Sequence, residues 1–148
     1  FVAGSVGPTG LFMEPMGSLT ESEMYDGFAE QITALAEGGA DTVAIETMIS
    51  PEEAEVAIRA ARENTELAII GTMTFDRGPR GLFTMWGNTP ADAVQRLGDA
   101  GADIVGANCG NGIAVMIEIA AEMRKATDKF LIRLRNEANH GMTYRNTT

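Results

Sequence analysis

Two kinds of apolar pattern alternate along the chain. Five short runs carry hydrophobic residues without a polar alternation, at Val2 to Ser5, Thr42 to Ile45, Leu67 to Met73, Ile104 to Ala107 and Phe130 to Ile132, as strands buried on both faces do. Between them lie segments with helical start signals. Ser50-Pro51-Glu52-Glu53 offers an N-cap serine, a proline at the first helical position and a capping-box glutamate. Thr20 with Glu23 is a second box, and Thr89-Pro90-Ala91-Asp92 repeats the cap-then-proline order. Asn111 precedes Ile113, Met116, Ile117 and Ala120, which share a helical face. The helices predicted are roughly 22–37, 51–63, 90–99 and 113–126.

Strict strand–helix alternation implies right-handed crossovers and a parallel sheet, so the class is α/β. An internal echo supports modular βα units: Gly39-Ala40-Asp41-Thr42-Val43-Ala44-Ile45-Glu46-Thr47 lines up with Gly101-Ala102-Asp103-Ile104-Val105-Gly106-Ala107-Asn108-Cys109. The offset, Gly39 to Gly101, is 62 residues. Two βα units of an eight-unit barrel of about 250 residues have that length. A five-stranded doubly wound sheet is the competing architecture, because sequence does not give strand order.

Composition excludes some functions. The chain has 148 residues, 45% of them apolar and 22% charged, and a formal charge of −10. That acidity opposes nucleic acid and anionic membranes. Its single cysteine, Cys109, allows no internal disulfide, and apolar runs fall short of the roughly 20 residues that span a bilayer. No signal peptide is visible at Phe1-Val2-Ala3-Gly4. A cytoplasmic protein is expected, and the opening reads as an excerpt of a longer chain.

In parallel α/β folds, functional groups collect at the C-terminal strand ends. Those positions are Ser5 to Thr9, Glu46 and Thr47, Thr72 to Asp76, and Asn108 with Cys109. Glu46 ends an apolar strand, where a carboxylate needs a cation or strong donors; a structural capping role is the alternative. Cys109 sits between a strand and a helix N-terminus, which favours a thiolate, although buried cysteine commonly serves as a small hydrophobe. Gly4-Ser5-Val6-Gly7-Pro8-Thr9-Gly10 lacks the lysine of a phosphate-binding loop, and reads either as a tight turn that lets backbone approach a small ligand or as plain loop geometry. Asp76 to Asn88, with Arg77, Arg80, Phe83 and Trp86, reads as a long loop that is either a lid or an aromatic plug. His140 lies in a polar tail and reads as solvated.

Four motifs together resemble the homocysteine S-methyltransferase family, the homocysteine-binding barrels of cobalamin-dependent methionine synthase and betaine–homocysteine methyltransferase type. They are Val2-Ala3-Gly4-Ser5-Val6-Gly7-Pro8-Thr9-Gly10, Ile45-Glu46-Thr47-Met48, Gly71-Thr72-Met73-Thr74-Phe75 and Gly106-Ala107-Asn108-Cys109. The resemblance implies a (β/α)8 TIM barrel, of which this chain would carry about five βα units, the third to seventh strands. It implies a zinc ion held by three cysteines, with Cys109 as the first and an adjacent pair that this chain lacks. Glu46 would hold the homocysteine amino group, and Gly4, Ser5, Thr9, Thr47 and Asn108 would line the substrate pocket. The methyl donor would be a betaine, S-methylmethionine or methylcobalamin, the last on a corrinoid-binding partner domain.

Residues 1–132 are expected to form a partial homocysteine-binding domain, and 133–148, which depart from the family pattern, a divergent or disordered tail. By itself the excerpt is expected to be inactive. A corrinoid-linked methyltransferase with another acceptor or donor, and a non-catalytic doubly wound binding domain, are the other readings.

Overall fold

Thr20 and Thr89 each accept a hydrogen bond from the residue three positions on, Glu23 and Asp92, whose carboxylates return to the cap backbone. Both boxes form as the sequence predicts. Ser50 caps its helix through Glu53 N at 3.4 Å, but the Glu53 carboxylate does not complete the box. It turns instead to a loop 44 residues away in sequence. In the computed structural model, which describes residues 1–109 and 112–134, the elements follow in the order β1 (Ala3–Val6), α1 (Glu21–Glu37), β2 (Thr42–Met48), α2 (Pro51–Asn64), β3 (Ala68–Met73), β4 (Asp76–Gly78), β5 (Gly81–Phe83), α3 (Pro90–Asp99), β6 (Ile104–Asn108), α4 (Ile113–Ala126) and β7 (Phe130–Leu134). The N-cap position of α4 falls on Gly112, which gives no side-chain cap. Asn111 and His140 lie outside the described residues.

The main sheet has the order β1-β2-β3-β6-β7, and every pairing in it is parallel. Each strand therefore lies beside the next strand to join that sheet. A doubly wound sheet reverses its order at a switch point and places helices on both faces. Sequential order with right-handed crossovers sends every helix to one face, and successive helices accordingly pack on one another, α1 on α2, α2 on α3 and α3 on α4. The architecture is an arc of a parallel α/β barrel, and the doubly wound alternative is excluded.

The core lies between this arc and its helices. Val43, Ile45, Ile69, Val105, Ile58 and Leu97 are all fully buried there. Residues of the opposite, lumen face follow from the register Ser5↔Ala44↔Ile70↔Ile104. Ser5 is exposed and Ile70 only half-buried, so the lumen side is open among the described residues.

The echo has a structural cause. Asp41 donates its backbone N–H to Val2 O at 2.8 Å and accepts from Val2 N on its carboxylate at 2.7 Å. Asp103 does the same to Ile69, with N to Ile69 O at 2.9 Å and Ile69 N to Oδ2 at 2.8 Å. Each Gly-Ala-Asp thus reverses the chain through a left-handed glycine, Gly39 or Gly101, and fastens a new strand to the start of its neighbour.

The Asp76 to Asn88 stretch is not simply a loop. β4 and β5 pair antiparallel as a short hairpin, with Asp76 opposite Phe83. Arg77 reaches Glu118 on α4 at 2.5 Å, Arg80 lies over the Phe83 ring at 5.7 Å, and Trp86 meets Phe12 edge-on at 5.7 Å. No helix among the described residues is long and apolar enough to cross a membrane.

Candidate active site

The C-terminal ends of β1, β2, β3 and β6 converge at one rim. Below it, on the lumen face, lies an open cavity of about 690 Å³ lined in part by Ser5, Gly7, Pro8, Glu46, Thr47 and Asn108. Its volume falls in the range of small-molecule sites. Of the residues expected at a substrate pocket, the structure brings Ser5, Glu46, Thr47 and Asn108 together.

Ser5 and Glu46 face each other across the β1–β2 pairing, and the Ser5 hydroxyl donates to Glu46 Oε1 at 2.7 Å. Glu46 makes no ion pair among the described residues. A half-buried carboxylate held by one hydroxyl retains acceptor capacity for a cationic group. It is not a helix cap.

Thr47 and Cys109 follow at the same position of the two echoed units. Both have left-handed backbones, φ 65° and 58°, the two non-glycine residues with positive φ among those described. Such conformations cost on the order of 1–3 kcal/mol each and persist where the surroundings over-determine them. Asn108, almost fully buried, sits between them. Its Oδ1 accepts from Thr47 N at 2.8 Å and from Thr72 Oγ1 at 2.7 Å. Its Nδ2 donates to Thr47 Oγ1 at 2.6 Å and to Cys109 Sγ at 3.4 Å. Thr47 Oγ1 lies 4.0 Å from the same sulfur.

Two expected pocket residues are placed differently. Gly4 points toward the helices, where a Cβ would stand 2.9 Å from Leu35 Cδ1; its glycine serves close packing of β1 on α1 and not a ligand. Thr9 gives both its N–H and its hydroxyl to Glu53 Oε1, each at 2.7 Å. It fastens the Gly7 to Gly10 turn to the N-terminus of α2 and does not line the cavity. Glu53 is 3% exposed, and the helix-start pattern that flags it gives no hint of this partner.

Phe83 and Trp86 are not among the residues lining the lumen cavity. Trp86 with Phe12, Met13 and Met24 lines a separate cavity of about 350 Å³ between the β1–α1 loop and the start of α2.

A catalytic zinc needs three protein ligands with an open position. Among the described residues no three His, Cys, Asp or Glu side chains gather as a metal would require. Cys109 offers one soft donor at the rim, so these residues do not form a zinc site by themselves.

Comparison with known proteins agrees with the geometry. The homocysteine S-methyltransferase family model matches residues 1–148. Betaine–homocysteine S-methyltransferase 1 of Danio rerio is 30% identical over 128 residues, which cover 86% of this chain and 30% of that protein. Crystal structures of the homocysteine methyltransferase MmuM from Escherichia coli superpose with TM-scores of 0.75 for the metallated form and 0.74 for the apo form, at 22% identity. They cover 93% of this chain and 49% of MmuM. Dihydrodipicolinate synthase from Oceanobacillus iheyensis shares the fold more distantly, with a TM-score of 0.56 at 14% identity. The chain thus spans about half of the bacterial enzyme and less than a third of the fish one.

Proposed function

Since the chain belongs to the homocysteine S-methyltransferase family, we propose that it forms part of the acceptor site of an enzyme that transfers a methyl group to the thiol of homocysteine. The observation that carries this reading is the carboxylate of Glu46. It stands on the lumen side of the rim with no cationic partner among the described residues, one residue from Thr47, whose hydroxyl is 4.0 Å from Cys109 Sγ. An amino acid with a side-chain thiol has the matching groups, an ammonium for Glu46 and a sulfur for the Cys109 end.

In this reading Ser5 orients the Glu46 carboxylate, Glu46 binds the ammonium group, and Thr47 borders the thiol. The Thr9–Glu53 contact holds the Gly7–Pro8 wall of the cavity in place. Cys109 is one of the zinc ligands, and the others come from outside this chain. A zinc ion bound there would favour the thiolate form of the acceptor at neutral pH. The donor belongs to the rest of the enzyme, a betaine, S-methylmethionine or a corrinoid on a partner domain. Residues 1–132 make up the partial acceptor domain in this account.

The test is made on the full-length protein. Cys109→Ala is expected to lower zinc content and abolish methionine formation from homocysteine. Retention of both would overturn the assignment of Cys109, and a wild-type protein inactive on homocysteine with every donor would overturn the acceptor.

A further inference from the structure

We propose that Asn108 is a positioning residue that locks the strand ends carrying Thr47 and Cys109 into one rigid unit, and is not itself a substrate ligand. The proposal rests on the acceptor-site reading for its kinetic consequence and on geometry alone for its structural one.

A carboxamide has two acceptor lone pairs and two N–H donors. All four are occupied here, by Thr47 N, Thr72 Oγ1, Thr47 Oγ1 and Cys109 Sγ. The orientation of the amide is not arbitrary. Thr47 N can only donate, so the atom 2.8 Å from it must be the oxygen, and the nitrogen is thereby turned toward Thr47 Oγ1 and Cys109 Sγ. A substrate could hydrogen-bond Asn108 only by breaking one of these contacts.

The contacts also connect what the backbone leaves strained. β2 and β6 are not neighbours, because β3 lies between them. Asn108 bridges all three through Thr47 on β2, Thr72 on β3 and its own place on β6. Thr47 and Cys109 are the two left-handed non-glycine residues among those described. One is held by Asn108 Oδ1 and the other is its covalent successor and sulfur contact. A side chain that satisfies both ends fixes the separation between the β2 end, with Glu46 next to it, and the β6 end. Near-attack geometry is sensitive to such separations, since a misplacement of about 1 Å can cost on the order of 10²-fold in rate.

The decisive variants are Asn108→Asp and Asn108→Ala in the full-length protein. Aspartate keeps acceptors for Thr47 N and Thr72 Oγ1 and removes the donors to both Thr47 Oγ1 and Cys109 Sγ; alanine removes everything. For Asn108→Asp the expected result is a fall in kcat of about 10- to 100-fold, with KM for homocysteine changed less than about threefold. A substrate ligand would show the reverse, a KM raised about tenfold or more at nearly constant kcat, and that would overturn the proposal. So would kinetics unchanged in a variant that merely melts earlier.

Amide hydrogen exchange at Thr47 supplies a readout independent of activity. Its N–H is expected to stay protected in Asn108→Asp and to lose at least tenfold in protection in Asn108→Ala. Equal protection in wild type and Asn108→Ala would show that Asn108 does not hold β2. If Asn108→Ala does not fold, the kinetics of Asn108→Asp decide. If the wild type proves inactive on homocysteine, the acceptor reading fails and the exchange result alone decides the positioning role.

Discussion

Alanine at Gly106 would put a methyl carbon 1.8 Å from the carbonyl oxygen of Ile132 and 2.8 Å from its carbon, both backbone atoms of the neighbouring strand. Ordinary contact begins at 3.4 Å, so β7 would have to retreat by about 1.6 Å. A ladder hydrogen bond near 2.9 Å does not survive that displacement. Losing the two flanking bonds costs about 1 kcal/mol each, and the forced backbone shift adds about 1–3 kcal/mol. The total is about 3–5 kcal/mol. Gly71→Ala is the control. Its methyl would meet Ile58 Cδ1 at 3.3 Å, Ala102 Cβ at 3.4 Å and Leu97 Cδ2 at 3.5 Å, side-chain atoms able to yield by a few tenths of an ångström, for a cost of about 1 kcal/mol or less. Urea denaturation followed by circular dichroism compares the two in the full-length protein. Equal stability of the two variants, or Gly106→Ala within about 1 kcal/mol of wild type, would refute the close β6–β7 approach. Asn108 and Cys109, two and three residues beyond Gly106, would then need another account of how they are held.

Two further outcomes follow from the same contacts. Glu53→Ala removes both charge-assisted bonds to Thr9. Because Thr9 is exposed and can rehydrate, the expected loss is about 2–3 kcal/mol rather than the full sum, with Glu53→Gln, which keeps an acceptor, retaining most of it; chemical denaturation checks both. Burial pushes the Asp103 carboxyl up, but the Ile69 N–H and the Arg62 guanidinium outweigh it and leave the pKa lowered. A depressed folded-state pKa gives stability that is present above the unfolded value near 3.9 and is lost as pH falls through the folded one. Asp103→Asn should therefore be less stable than wild type at pH 7, with the gap closing below about pH 4; a gap that widens in acid would contradict the assignment.

The helices and most strands were legible because their signals are local. Caps at Thr20, Ser50 and Thr89 and the run Thr42 to Ile45 fall where the pattern places them. Strand order was not legible, because nothing within one strand states its neighbour. The β4–β5 hairpin escaped because three-residue strands rich in glycine show no period of two. At the site, Glu46, Ser5 and Thr47 could be placed on the rim from their position after apolar runs. Gly4, Thr9 and Glu53 could not be assigned correctly, since the first packs on Leu35 and the other two bond across 44 residues. Asn108 was recognisable as a rim residue. Its saturation by Thr47, Thr72 and Cys109 is a property of three strands brought side by side. The echo at Gly39 and Gly101 was visible in sequence, while its meaning, a glycine turn with an aspartate clamp, needed the partners Val2 and Ile69.

Glu46 is proposed to receive the amino group of a thiol-bearing amino acid. Isothermal titration of the full-length protein with homocysteine and with 4-mercaptobutanoate, the same molecule without its amino group, measures this directly in wild type and Glu46→Gln. Wild type is expected to favour homocysteine by at least about tenfold, or about 1.4 kcal/mol, and Glu46→Gln to remove most of that preference. Equal binding of the two ligands by wild type, or a preference undiminished in Glu46→Gln, would contradict it.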